Sequence, residues 1–236
     1  MNVRKILQLA MVFSALLFMP LKAAEPLHYI SQTSVNTTAL LPPPPAADSE
    51  ETQAELDLIL RLQDTRTPQQ VSRVKADAKT GMQCFQGVMG TWFAPENLPL
   101  TEKLLKDTEK DSKYFTETSK SFFNRQRPMF VHKRIKVVIE GQEEPSYPSG
   151  HATRGMLLAL VLSELAPDKR ADLMRKGWEI GWDRVIAGVH YPSDIVAGRV
   201  LGQALARTML GNPAFAKDLA AAKSEFTAAR TRFAAR

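Results

Sequence analysis

Along most of the chain, apolar residues recur three and four positions apart, and prolines and glycines cut this pattern into segments. Leu56, Ile59, Leu60 and Leu62 fall on one side of a helix, and Asp48 or Ser49 can cap its start. Pro68 marks a second start, which predicts a short helix from Gln69 to about Lys79. The stretch GMQCFQGVMGTWF (81–93) is apolar and punctuated by glycine, and reads as a buried helix. Pro95 and Pro99 then break the chain. From Leu100 to about Phe123, the residues Leu104, Leu105, Thr108, Phe115 and Phe122 predict a long polar helix with a narrow apolar side. β-Branched residues cluster only in 131–148, which ends in turn residues and reads as a loop with at most a short strand. Beyond it the helical pattern returns, predicting helices over 151–165, 168–182, 192–210 and 213–235. The fold class expected is all-α, a single compact helical domain.

The ends of the chain change this picture. Residues 1–23 read as a secretory signal: Arg4 and Lys5 begin it, Ile6 to Phe18 is apolar, and Ala23 or Ala24 offers a small residue for cleavage. Residues 24–47 look extended and Pro-rich, with LLPPPPAAD unable to form a helix or a central strand. Residues 48–236 form the helical domain. Cleavage after Ala23 removes three of the 31 cations and none of the 25 acids, so the net charge of +6 becomes +3. That is too weak, and too unpatterned, to imply nucleic acid. After the signal no apolar run approaches the roughly 18 residues of a membrane span; MLLALVLSELA is shorter and fits a buried core helix. Cys84 is the only cysteine, so neither an internal disulfide nor a thiolate metal cluster can form, and a buried apolar role is expected.

Three clusters carry candidate chemistry. In KSFFNRQRP, Lys120 and Arg127 are seven residues, two helical turns, apart and can share a face, either as a solvated basic surface or as an anion site; Pro128 ends or bends the helix there. In YPSGHATRG, Ser149 is a good N-cap and Gly150 permits close backbone approach. The free N–H groups of the helix start suit an oxyanion, with His151 beside them as a proton donor, although an ordinary capped helix would look the same. In WDRVIAGVHYPSDIVAG, Arg184 precedes His190 by six residues and Asp194 follows it by four. Pro192 suits the first turn of a helix, from which Asp194 reaches back to the imidazole or merely caps. His28 and His132 have no such company and read as structural or surface residues.

Together these clusters resemble the signature of the type 2 phosphatidic acid phosphatase superfamily: K-x6-R-P at Lys120, Arg127 and Pro128, P-S-G-H at Pro148 to His151, and R-x5-H-x3-D at Arg184, His190 and Asp194. The serine that precedes the arginine in that signature is Asp183 here. With its signal-like start, LLPPPPAADS stretch and helical remainder, the chain is most similar to the bacterial class A non-specific acid phosphatases. The resemblance implies the helical fold shared with vanadium haloperoxidases and a periplasmic or secreted enzyme acting on small phosphomonoesters, with no cofactor and no metal. It implies that His190 attacks phosphorus and forms a phosphohistidine, that Asp194 orients it, and that a charged His151 protonates the leaving oxygen, which favours an acidic optimum. Lys120, Arg127, Arg184, Ser149 and the Gly150 N–H would hold the phosphoryl oxygens. Asp183, which would repel a phosphate, is expected to point away and pair with Arg184 or Lys176. Rival readings are a lipid phosphate or polyprenyl pyrophosphate phosphatase, a vanadium haloperoxidase, and a non-enzymatic phosphate-binding envelope protein. Exposed parts of 213–235 are a candidate surface for a homo-oligomer.

Overall fold

The computed structural model describes residues 26–235, so the signal segment expected over 1–23 lies outside the described residues. Ten α-helices follow in order: α1 Thr37–Leu40, α2 Glu50–Thr65, α3 Pro68–Ala76, α4 Gln86–Met89, α5 Pro99–Phe123, α6 Pro128–Val131, α7 Gly150–Leu165, α8 Arg170–Ile186, α9 Pro192–Leu210 and α10 Pro213–Ala234. There is no strand among the described residues, and none of these helices is long and apolar enough to cross a membrane.

α7 is the centre. It is apolar on every side, with Met156, Leu157, Leu158, Ala159, Val161 and Leu162 all buried. α8 and α9 approach it so closely that side chains are excluded at the contacts. A Cβ on Gly177 of α8 would lie 2.5 Å from the Gly155 carbonyl oxygen. On α9, a Cβ on Gly198 would lie 2.5 Å from the Ser149 oxygen, and one on Gly202 the same distance from the Thr153 oxygen. These contacts bring the N-terminus of α7 against that of α9, where the Ser149 N–H donates to the Asp194 carbonyl at 3.0 Å.

α5 and α10 close the other side of α7. The start of α5 has no capping side chain of its own; Glu225 of α10 supplies one by accepting from the Leu100 and Thr101 N–H groups. The Pro-rich segment, extended apart from the single turn α1, is tied down rather than trailing. Asp111 of α5 accepts from the His28 and Tyr29 N–H groups, and Tyr29, Ile30 and Leu41 enter the core.

Two expected elements differ. Residues 81–93 are buried as expected, but they form a 3-10 turn, Met82–Phe85, followed by one turn of α-helix. Gly81 and Gly90 take φ values of 149° and 97°, which interrupts any longer helix. α8 runs to Ile186 rather than stopping near 182, so Asp183 and Arg184 sit on the last helical turn. Cys84 is buried, and its thiol is pushed up to about 12 by burial and by Asp77.

Candidate active site

His190 sits in the turn between α8 and α9, 2% exposed, at the floor of a cavity. Pro192 starts α9, and this places Asp194 in its first turn with the carboxylate facing back. Asp194 Oδ2 lies 3.0 Å from His190 Nδ1 and accepts from the Tyr191 N–H at 2.9 Å. Its Oδ1 accepts from Arg125 Nη1 at 2.8 Å. Burial pushes this carboxyl up and Arg125 opposes it; three donors on two oxygens require the carboxylate. On the other side of the ring, Arg127 Nη1 lies 3.2 Å from Nε2. A guanidinium only donates, so Nε2 is the acceptor and Nδ1 carries the proton given to Asp194. Burial first, then Arg127 and Lys120, hold His190 well below its ordinary value. The floor of the cavity therefore presents a neutral imidazole with one lone pair.

Three cations act on that ring. Lys120 is on the last turn of α5, Arg127 immediately precedes α6, and Arg184 is on the last turn of α8. All three are buried. Burial and Arg127 bring Lys120 down to about 8, and burial with Arg127 and Arg154 brings Arg184 down to about 9. Arg184 Nε and Nη1 are buried with no acceptor among the described residues. Lys120 and Arg127 do have one: Glu144 Oε1 lies 2.9 Å from Lys120 Nζ and 2.7 Å from Arg127 Nη2.

α7 opens onto the same cavity, whose volume is about 220 Å³. The Ser149 hydroxyl accepts from the Ala152 N–H, and the Ser149 carbonyl from the Thr153 N–H. This leaves the Gly150 and His151 N–H groups of the first turn without intrahelical acceptors. His151 Nε2 lies 3.1 Å from the Ala78 carbonyl oxygen, so it is the protonated nitrogen, and Nδ1 is where a proton is gained or lost. Burial, Arg184 and Arg154 hold the ring well below its ordinary value. This depression works against the charge that His151 is expected to carry as proton donor. Arg154, one turn further along α7, is a further cation lining the cavity, and its Nε donates to Thr80.

Asp183 turns away from this cavity as expected, but its partner is different. It is 1% exposed and takes three hydrogen bonds from Arg73 of α3; Lys176 pairs with Asp77 and Glu179 instead. Adjacent helical positions do not face one another, which is why Arg184 and Asp183 part company. His28 lies near Asp107 and Asp111, and His132 sits in a loop, both apart from the cavity. A larger, mostly apolar cavity of about 700 Å³ lies between the Pro42–Pro45 segment and α9; Glu51, Glu55, Tyr147 and Ser193 line it, but no histidine, lysine or arginine does. Of the residues predicted from sequence, Lys120, Gly150, His151 and His190 line this cavity, Arg127 and Asp194 contact His190, the buried Ser149 caps α7 behind it, and Arg184 donates to Gln142, which also lines it. Sequence reasoning missed Arg125, Glu55, Glu144, Gln142 and Arg154. Arg154 had a readable signal, since it is three residues after His151 and so on the same face of α7.

The pattern of the PAP2 superfamily matches residues 112–215. The chain is 33% identical to the non-specific acid phosphatase of Salmonella typhimurium over 86% of its own length and 85% of that protein. Among solved structures, a bacterial vanadium-dependent iodoperoxidase superposes with a TM-score of 0.60 at 16% identity, covering 77% of this chain and 54% of that one. LpxE from Aquifex aeolicus superposes at 0.52 and 23% identity, covering 66% and 93%. The last two share the fold.

Proposed function

The chain belongs to the PAP2 superfamily and is an acid phosphatase, and from that premise we propose that it hydrolyses small phosphomonoesters through a phosphohistidine on His190. The observation that carries this reading is the hydrogen-bond geometry of His190. Nδ1–H is committed to Asp194, so the Nε2 lone pair is the only nucleophile the ring offers, and it faces the cations.

In the first step Nε2 attacks phosphorus, the phosphorus–oxygen bond to the leaving group breaks, and the leaving oxygen takes a proton from His151. In the second, water attacks the phosphohistidine while His151 removes its proton, and inorganic phosphate leaves. Phosphoryl transfer depends on positioning and charge stabilisation, and Lys120, Arg127 and Arg184 supply both from the protein itself. The unclaimed donors of Arg184 and the Gly150 N–H match equatorial phosphoryl oxygens. No step needs a metal ion. His151 enters neutral, and a bound phosphate dianion offsets the cations that depress it, so substrate and catalytic proton arrive together. Export to the periplasm or medium fits the basic and apolar start of the chain.

The test uses the mature protein and p-nitrophenyl phosphate with EDTA present. Turnover is expected in the wild type and absent in His190→Ala, and rapid quenching at alkaline pH should trap one phosphoryl group on His190. Activity that survives in His190→Ala, or a phosphoryl group on another residue, would sink the mechanism.

A further inference from the structure

The loop between α6 and α7 behaves like a ligand. It places an acceptor on each of the three cations that the phosphoryl group needs. Glu144 Oε1 bridges Lys120 Nζ and Arg127 Nη2 at 2.9 and 2.7 Å, the Glu144 carbonyl oxygen accepts from Arg127 Nε at 2.7 Å, and Gln142 Oε1 accepts from Arg184 Nη2 at 3.1 Å. To ammonium and guanidinium donors a carboxylate oxygen and a phosphoryl oxygen are alike. We infer that Glu144 is an affinity-setting residue of this site, a built-in carboxylate that occupies the phosphate cradle until substrate displaces it.

Burial shows which partner moves. Lys120 and Arg127 are 8% and 1% exposed at their side chains, whereas that of Glu144 is 52% exposed. The cations belong to the framework, and the carboxylate reaches in from solvent. Its backbone carbonyl stays on Arg127 Nε, so the side chain can swing out while the loop remains attached. The cradle is only partly filled, because Arg184 keeps two buried donors without acceptors. An incoming phosphoryl group therefore finds part of its site open and takes the rest from Glu144. If the occupied arrangement holds about nine-tenths of the molecules, the apparent affinity for phosphate is weakened about tenfold. The same carboxylate near the bound anion adds repulsion in the same direction.

This rests on the cavity being a phosphoryl site, and the test separates the two claims. Inorganic phosphate is titrated calorimetrically into wild type, Glu144→Gln and Glu144→Ala at pH 6, where Lys120 is charged. Its inhibition constant is measured against p-nitrophenyl phosphate in parallel. Both constants are expected to fall about tenfold in both variants, and KM with them. Unchanged or weaker phosphate binding overturns the inference, since a carboxylate that merely braced Lys120 and Arg127 would weaken binding when removed. Should either variant fold poorly, Glu144→Asp, with a shorter reach, is read on the same scale and is also expected to bind phosphate more tightly. A wild type that neither binds phosphate nor turns over the ester would fail the phosphatase reading; a wild type that does both, with no tightening in the variants, would fail only the role of Glu144.

Discussion

Replacing Asp183 with serine restores the residue that the superfamily signature carries at this position, and the structure says that the change harms stability rather than helping catalysis. Arg73 Nε lies 3.1 and 2.9 Å from the two Asp183 oxygens, and Nη2 lies 2.7 Å from Oδ1. The bond to Asp183 holds the Arg73 guanidinium above its usual value. Breaking a buried ion pair from one side costs about 3–5 kcal/mol when the surviving charge is stranded. Here it is not fully stranded: Arg73 is 34% exposed, and Glu179 already lies 3.5 Å from its Nη1. Discounting for that solvation leaves about 2–3 kcal/mol. In a chain of this size that lowers Tm by about 4–12 °C. The assay is thermal unfolding of Asp183→Ser, Arg73→Met and the double variant, with KM for p-nitrophenyl phosphate measured on each. The two single losses should overlap strongly in the double variant, and KM should stay within twofold of wild type. A tighter KM with an unchanged Tm would place the carboxylate in the phosphate pocket and refute the reasoning.

Three further outcomes follow from the same geometry. Asp194→Asn removes the charge and replaces one of two acceptor oxygens by an amide donor, so it can no longer accept from both His190 Nδ1–H and Arg125, which keeps Glu55; kcat should fall on the order of 10³-fold or more while the protein still folds, by circular dichroism and stopped assay. Gly198→Ala puts a Cβ 2.5 Å from the Ser149 oxygen; overpacking of about 1–3 kcal/mol should lower Tm, and the displaced α7 N-terminus should lower kcat as well. His190 and His151 are both held below the roughly 6.5 of an unfolded chain, so below that pH the unfolded state binds more protons than the native one. Their contribution is present above pH 6.5 and is lost as pH falls, by up to about 1.4 kcal/mol per pH unit for each ring. Tm of the phosphate-free protein should therefore drop between pH 7 and pH 5, and added phosphate should reduce the drop; a flat profile would contradict neutral rings.

What was legible in the sequence follows from what spacing can encode. Apolar periodicity places α2, α5, α7, α9 and α10, because each has a face or a whole surface that must be buried. The segment 81–93 was misread because its apolar content records burial, whereas two glycines at positive φ decide its shape. The end of α8 was placed too early, which left Asp183 and Arg184 in a loop when they share a helical turn. The reach of four from His190 to Asp194 works as expected, because Pro192 starts α9 and puts Asp194 in its first turn. The shared helix face expected for Lys120 and Arg127 does not exist, since α5 ends at Phe123, Asn124 is left-handed and Arg127 is extended; the two cations meet instead through that turn and Glu144.

The residues that were missed differ from these in kind. Arg125 bridges Asp194 at a separation of 69 positions and Glu55 at 70, and its guanidinium lies 3.7 Å over the Tyr191 ring. None of those distances has a trace in local pattern. A physical signal existed nonetheless. A carboxylate buried beside an imidazole in a pocket of cations needs a second donor fixed from behind, or it would turn toward the pocket and compete with phosphate. Arg125, two residues before Arg127 in NRQRP, was the nearest unassigned cation. Glu55 completes the logic by holding Arg125 from the far side and by accepting from the Ser193 N–H at the start of α9 at 2.6 Å. The chain Glu55–Arg125–Asp194–His190 aligns acceptor and donor alternately from α2 to the nucleophile. Glu55→Gln should therefore loosen His190 through Arg125 and lower kcat for p-nitrophenyl phosphate with little change in KM, although Glu55 does not line the cavity that holds His190; an unchanged kcat in steady-state kinetics would break this chain of support.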